Sequence, residues 1–194
     1  MYDDFGEQFV VHFTHPIETE RLLLRPYEAS DLDALADLLS VPEVMRYLFE
    51  EPLSREEAAA TLHRRIPMRK IEQEGDRLAL VVTLREGATV IGTVNLTLRS
   101  EEHRQGEIGY VFHPNHQGRG YATEATRALL DFGFRTGRFH RIYGRCDARN
   151  ISSARLMERL GMRREAHFVE NEWFKGAWGS EFVYAMLMHE WEAG

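Results

Sequence analysis

The stretch Glu107–Ala125, EIGYVFHPNHQGRGYATEA, gathers the residue types best suited to chemistry. It reads as an apolar strand, a stop at Pro114, a tight turn around Gly118 and Gly120, and an amphipathic helix. Ala125, Leu129 and Phe132 recur in that helix at i, i+4 and i+7. Gly118 and Gly120 tolerate unusual torsions and let backbone approach a ligand closely. The N–H groups of Gly118 to Ala122 would be the unpaired donors at a helix start, and with the helix dipole they make an anion site suited to phosphate. Arg119 can add a charge. The alternative for two such glycines is a tight turn and nothing more. A Walker A loop, GxxxxGK followed by Ser or Thr, does not occur, and a dinucleotide fingerprint fails because its third glycine position is Thr123. The cradle is therefore of another type. His113, His116 and His103 could be drawn as a metal site, but Pro114 opposes helical presentation and no carboxylate has ligand spacing, so no metal is expected.

Elements on both sides must position this turn. Residues 1–16 read as an N-terminal arm, because His12, His15 and Pro16 interrupt any periodic pattern; residues 17–194 read as one domain. Arg21–Pro26 is a short strand ended by proline. Ser30 offers a helix N-cap ahead of Leu32, Leu35, Leu38 and Leu39, and Ser54 with Glu57 forms a capping box for a second helix that Pro67 ends. Leu78–Leu84 and Val90–Leu98 form a hairpin through Glu86-Gly87, with Val90, Gly92, Val94, Leu96 and Leu98 on one face. After the Glu107–His113 strand and the glycine turn come a strand at Arg141–Cys146 and a helix at Asn150–Leu160, closed by a left-handed Gly161. Two strands, about Arg163–Val169 and Glu181–His189, complete the chain. Helices interleave with hairpins, which predicts a mixed α/β (α+β) sheet and not a doubly wound parallel one.

Composition narrows the function classes. The chain has 194 residues, 24 Lys+Arg against 31 Asp+Glu, and a net charge of −7, so no overall basic field attracts nucleic acid or an anionic membrane. Cys146 is the only cysteine, which excludes an intrachain disulfide. No apolar run approaches the ~20 residues of a membrane span, and the acidic start MYDDFGEQFV lacks a signal-peptide pattern. A soluble cytoplasmic protein is the expectation.

The segment Gln117-Gly118-Arg119-Gly120-Tyr121-Ala122 resembles the Q/R-x-x-G-x-G/A pyrophosphate loop of GNAT N-acetyltransferases. Glu107–Tyr110 is similar to that family's central strand, Thr123–Ala125 to the following helix, and Asn150-x-x-Ser153 with Glu158-x-x-Gly161-Met162 to its last helix and turn. Glu20–Arg25, Gly176–Trp178, Glu181–Tyr184 and Glu190-Trp191 look like the RimJ/RimL-like branch of ribosomal-protein N-terminal acetyltransferases. The likeness spans about residues 17–192. It implies a six- to seven-stranded, mostly antiparallel sheet with two central, splayed parallel strands, flanked by about four helices. It implies acetyl-CoA as co-substrate and a primary amine as acceptor, either a protein N-terminal α-amine or a small molecule. Members of the family often dimerise, which allows a homodimer.

Carried over residue by residue, the resemblance has the backbone of Tyr110, Val111 and Phe112 pair with the pantetheine arm, the amides of Gln117, Gly118, Arg119, Gly120, Tyr121 and Ala122 hold the pyrophosphate, and Asn150 contact the cofactor near its thiol. Direct attack in a ternary complex makes three demands. The amine must lose a proton, the thioester oxygen needs an N–H donor as it becomes an anion, and the departing thiolate needs a proton. Glu107 is the candidate base, with an ion pair to Arg99 or Arg104 as its structural alternative. Many members of the family carry a tyrosine acid seven residues after the Asn; here that position is Met157. Ser153 is the candidate in its place, with Tyr110 and Tyr121 as further hydroxyls. Met157 also keeps open a catalytically silent acyl-CoA-binding regulatory module. Trp173, Phe174, Trp178 and Trp191 are expected to pack in the core and hairpin.

Overall fold

The computed structural model describes residues 9–193. Its main sheet has eight strands in the order β2-β3-β5-β6-β7-β8-β10-β9. These are β2 (Ile17–Glu18), β3 (Leu22–Pro26), β5 (Arg77–Leu84), β6 (Val90–Ser100), β7 (Gln105–Phe112), β8 (Arg141–Asp147), β9 (Arg163–Phe174) and β10 (Ala177–Leu187). Every neighbouring pair is antiparallel except β7 and β8, at the centre. The mixed sheet expected from the sequence is thus present, with the two-residue β2 as an eighth strand. Two helices, α2 (Pro42–Met45) and α6 (Met188–Ala193), join the four anticipated ones: α1 (Leu32–Ser40), α3 (Arg55–Arg65), α4 (Tyr121–Asp131) and α5 (Ile151–Arg159).

The sheet separates two cores. On one face, Ala125 and Leu129 of α4 and Leu156 and Met157 of α5 pack on Val94, Leu96, Ile108 and Ile142. On the other, Leu35, Leu38 and Leu62 of α1 and α3 cover Ala79 and Val81 at one end of the sheet. The arm is part of the first core. Val11–His12 (β1) pairs with Lys70–Ile71 (β4), and Phe9, Val11 and Phe13 are buried at alternate positions. Residues 1–8 of that arm, with Asp3, Asp4 and Glu7, lie outside the described residues.

Local rules explain most boundaries. Ser54 accepts from Glu57 N while Glu57 accepts from Ser54 N, closing the capping box. Gly161 has φ +81; its N–H reaches Glu158 O and that of Met162 reaches Met157 O, a Schellman closure of α5. Two expectations are corrected. A turn at Ala29–Asp31 precedes α1, so Ser30 is not its cap; Asp31 carries that corner, accepting from Glu28 N and pairing with Arg25. A register shift between Val82 and Thr83 skips Ile91. It turns Val90 toward the α1/α3 core and leaves Ile91 in the core of Val94, Leu96 and Leu98.

Candidate active site

The central parallel pair is short. β7 and β8 run in register from Gln105↔Arg141 to Ile108↔Gly144 and then part, although β7 continues to Phe112 and β8 to Asp147. β6 still pairs with β7 as far as Gly92↔Phe112. The edge of Gly109–Phe112 that faces β8 is therefore open to an extended ligand, which would add to the sheet like a strand. At the last paired position α5 packs closely on β8. Met157 is fully buried with its sulfur over Gly144, where a Cβ would come within 2.8 Å of it.

Just past β7, a single turn at Pro114–His116 leads to Gly118 at φ +73 and Gly120 at φ +80, and α4 begins at Tyr121. Glu124 N closes the first helical bond on Gly120 O, so the amides before it face outward from the helix start. The turn is fastened to the first long strand. Arg21 donates to Arg119 O at 3.0 Å and to Glu124 Oε2 at 2.7 Å, and its guanidinium stacks over Tyr121 at 4.7 Å. Thr19 adds a 2.6 Å bond to Glu124. Burial alone would raise the Glu124 carboxyl, but the hydrogen bonds from Thr19 and Arg21 hold it below the usual carboxylate range. Sequence reading missed this clamp; its one local signal was a glutamate in the first turn of a helix whose start was expected to bind an anion.

The two faces at the fork differ. On the α5 side, Tyr110 Oη lies 2.7 Å from Ser153 Oγ. Burial pushes the Tyr110 hydroxyl well above its ordinary value, so it stays protonated. The same burial raises the Cys146 thiol to about 11, against a hydrogen bond with Ser153 that lowers it. Asn150 caps α5, its side-chain oxygen accepting from Ser153 N at 3.1 Å. On the opposite side, Glu107 meets Arg99 Nε at 2.7 Å, Tyr143 Oη at 3.2 Å and Arg145 Nε at 3.4 Å. Glu107 is thus an ion-paired carboxylate beside the fork, on Arg99, one of the two arginines its alternative named, and on Arg145. The fold brings together Glu107, Tyr110, Val111, Phe112, Ser153 and Asn150 around the gap, and Gln117–Ala122 at its outer end.

Other residues fall elsewhere. The Tyr121 ring lies under Arg21 instead of facing the fork. His113 pairs with Asp37 at 3.3 Å and its ring centre is 6.2 Å from that of His116. Among the described residues no group of three or more His, Cys, Asp or Glu could hold a metal. Trp173 and Trp178 stack edge-to-face on the hairpin but are 63% and 57% exposed, so they are not core: they lie where the β9/β10 hairpin extends past the last β8 pairing, Glu181↔Asp147. Trp191 does pack inward, against Phe134. At the hairpin tip, Lys175 donates to Met45 O and Glu50 O, and Phe174 meets Phe49.

An open strand edge beside a glycine-rich helix start suits an elongated ligand with phosphates at one end. The Acetyltransferase (GNAT) domain family matches residues 21–163, and the chain belongs to it. The chain is 37% identical over 176 residues to the uncharacterized N-acetyltransferase YnaD of Bacillus subtilis strain 168, covering 90% of this chain and 98% of that one. Among solved structures, a GNAT-family acetyltransferase of Bacillus anthracis superposes with TM-score 0.82 at 32% identity, covering 91% of this chain and 100% of that one. A Vibrio cholerae spermidine N-acetyltransferase, solved with CoA and spermine, does so with TM-score 0.77 at 27% identity, covering 90% and 99%. This protein is therefore an acyltransferase, a GNAT N-acetyltransferase dependent on acetyl-CoA. Among the described residues no helix is long and apolar enough to cross a membrane.

Proposed function

We propose that the enzyme transfers the acetyl group by direct attack of a primary amine at the β7/β8 fork, with the acceptor entering on the Glu107 side. The observation that carries this reading is the end of strand pairing at Ile108↔Gly144, next to the Gly118–Gly120 turn. The open edge of Tyr110–Phe112 pairs with the pantetheine arm, and the amides of Gly118–Ala122 receive the pyrophosphate; the Gln117 N–H expected to join them is instead bonded to Pro114 O at 3.1 Å. Acetyl-CoA supplies the activated acyl group as a thioester. A backbone N–H of Val111 or Phe112 donates to the thioester oxygen as charge develops there, an effect worth ~3 kcal/mol in comparable oxyanion sites. Asn150, whose oxygen is occupied by the helix cap, offers its amide nitrogen to the cofactor.

Glu107 takes the proton of the attacking amine, directly or through Tyr143. Tyr110 and Ser153, sharing one hydrogen bond on the thiol side, donate to the departing sulfur. Met157 occupies the position of the family's usual tyrosine as a packing residue, so this proton path replaces that one. The acceptor is a small-molecule amine or a protein N-terminal α-amine; the second is the RimJ/RimL-like reading. Acetyl-CoA at ~100 times its dissociation constant should stabilise the fold by about 2.7 kcal/mol, and adenosine diphosphate should do less. No rise in melting midpoint at millimolar acetyl-CoA would defeat the proposal. A rise together with thiol release on adding amines would support it.

A further inference from the structure

The open face of the sheet around Glu107 carries charges that do not balance. The register sets Arg77 opposite Thr97, Thr97 opposite Glu107 and Glu107 opposite Tyr143. Opposed residues project to the same face, so the four side chains form one row across β5, β6, β7 and β8. Arg99, at the bulge between Leu98 and Ser100, and Arg145, two positions beyond Tyr143, both reach Glu107 on that face. Arg65, in the last turn of α3, donates to Tyr27 Oη at 2.9 Å.

The carboxylates in this row already have cations. Arg99 and Arg145 hold Glu107, and Arg145 also reaches Glu181 at 3.4 Å. Arg77 instead donates to a neutral hydroxyl, Thr97 Oγ1, at 3.0 Å. Among the described residues neither Arg77 nor Arg65 takes part in an ion pair. Burial first, then the like charges of Arg65 and Arg99, lower the proton affinity of Arg77, while Glu107 and Glu50 oppose this more weakly. Arg77, on this exposed floor, thus feels other guanidiniums more strongly than any carboxylate and has no carboxylate in contact among the described residues.

We propose that Arg77 anchors a carboxylate of the acceptor, so that the amine acetylated at the fork is one that also bears a carboxylate. This inference rests on the transfer reaction proposed above and names what enters it. The Arg77 guanidinium stands over β6 in the row of Glu107, where β7 and β8 are still paired; the gap opens past Ile108, ~7 Å across the strands and ~7 Å along them, about 10 Å away in all. That separation matches an ω-amino acid of some six carbons, or a peptide N-terminus followed by an acidic residue. A polyamine brings further cations to the same floor and meets repulsion there.

The test is thiol release from acetyl-CoA with amine pairs that differ only in the carboxylate. The pairs are 6-aminohexanoate against 6-aminohexanamide, and the C-terminally amidated tripeptides Ser-Glu-Ala against Ser-Gln-Ala, with spermidine alongside. The carboxylate member of at least one pair should exceed its partner in kcat/KM by about tenfold or more, as charge-assisted bidentate contacts allow. Whichever pair separates identifies a small molecule or a peptide as the source. R77Q should bring the ratio to within about twofold by raising KM at unchanged kcat, and R77K should restore part of it. Equal rates within both pairs, spermidine outrunning every carboxylate, or a ratio that survives R77Q would each overturn the proposal. If acetyl-CoA raises the melting midpoint and no carboxylate-bearing amine reacts, only this inference fails. If acetyl-CoA does not bind, the transfer reading falls with it.

Discussion

The two sides of the β7/β8 fork are built from opposite materials. The α5 side is closed and nearly apolar, with one hydrogen bond between Tyr110 and Ser153 and a protonated thiol at Cys146. The other side is an open floor of arginines and glutamates around Glu107. One strand serves both, because β-strand side chains alternate: Ile108 and Tyr110 face α5, while Glu107 faces the floor. Nothing but a gap between strands separates a buried, nearly apolar environment from an exposed, charged one. That division suits a reaction whose leaving group needs proton donors in a fixed place and whose nucleophile must arrive from solvent.

Substitutions on each side should separate the two roles. The largest effect is expected at the cofactor end: Gly120→Glu adds a side chain at φ +80 and a negative charge at the phosphate turn. Acetyl-CoA affinity, measured by calorimetry, should fall a hundredfold or more, and unchanged affinity would remove this turn from the site. Next comes Glu107→Gln on the floor. It should lower kcat by about a hundredfold, within the range of general base catalysis, while leaving acetyl-CoA affinity within about twofold. Turnover at the wild-type rate would assign the proton to another group.

Effects on the closed side should be smaller and coupled. Tyr110→Phe and Ser153→Ala are each expected to slow turnover by about tenfold. The double variant should be little worse than either single one, since each breaks the same bond. Additive losses would show two independent proton paths. Smaller again is the reactivity of Cys146. With its thiol raised to about 11, only about 1% is thiolate at pH 9, so alkylation in the folded protein should be slow and become fast on unfolding. Rapid labelling of the native protein would contradict a dry α5 side.

The Arg21–Glu124 clamp gives the smallest signal and a definite sign. Glu124 is held below the ordinary value of 4.5, so its contribution is present above that value and is lost as pH falls through the lowered folded value. The difference in melting midpoint between wild type and Glu124→Gln should therefore shrink as pH drops below about 4.5. A difference that stays constant down to pH 2 would show the clamp acting through shape and not charge.

What the sequence made legible was local. The β7 strand, the proline stop, the glycine turn and the Gly161 closure each depend on a few adjacent residues and a single rule. Register was less legible: the bulge that turns Val90 over needs the partner strand β5 to be known. Burial of Phe9, Val11 and Phe13 was hidden because the arm pairs with β4, some sixty positions on. The Arg21–Glu124 contact and the row of Arg77, Thr97, Glu107 and Tyr143 join residues on four strands and a helix, so no spacing in the chain announces them. Glu107 could be picked as a polar residue at the head of an apolar strand, and Arg99 as one of two candidate partners, but Arg145 and Tyr143, which also hold it, could not.

The clamp at the phosphate turn links positions 103 apart. During synthesis the segment that carries Arg21 leaves the ribosome long before α4 exists. The turn can take its final shape only once more than half the chain has emerged. By the same logic, a proteolytic nick near residue 20 would be felt first in the grip on the nucleotide end of the cofactor, although the cut lies a hundred residues upstream. The chain's opening segment thus acts as the fastening for a loop that it never adjoins in sequence.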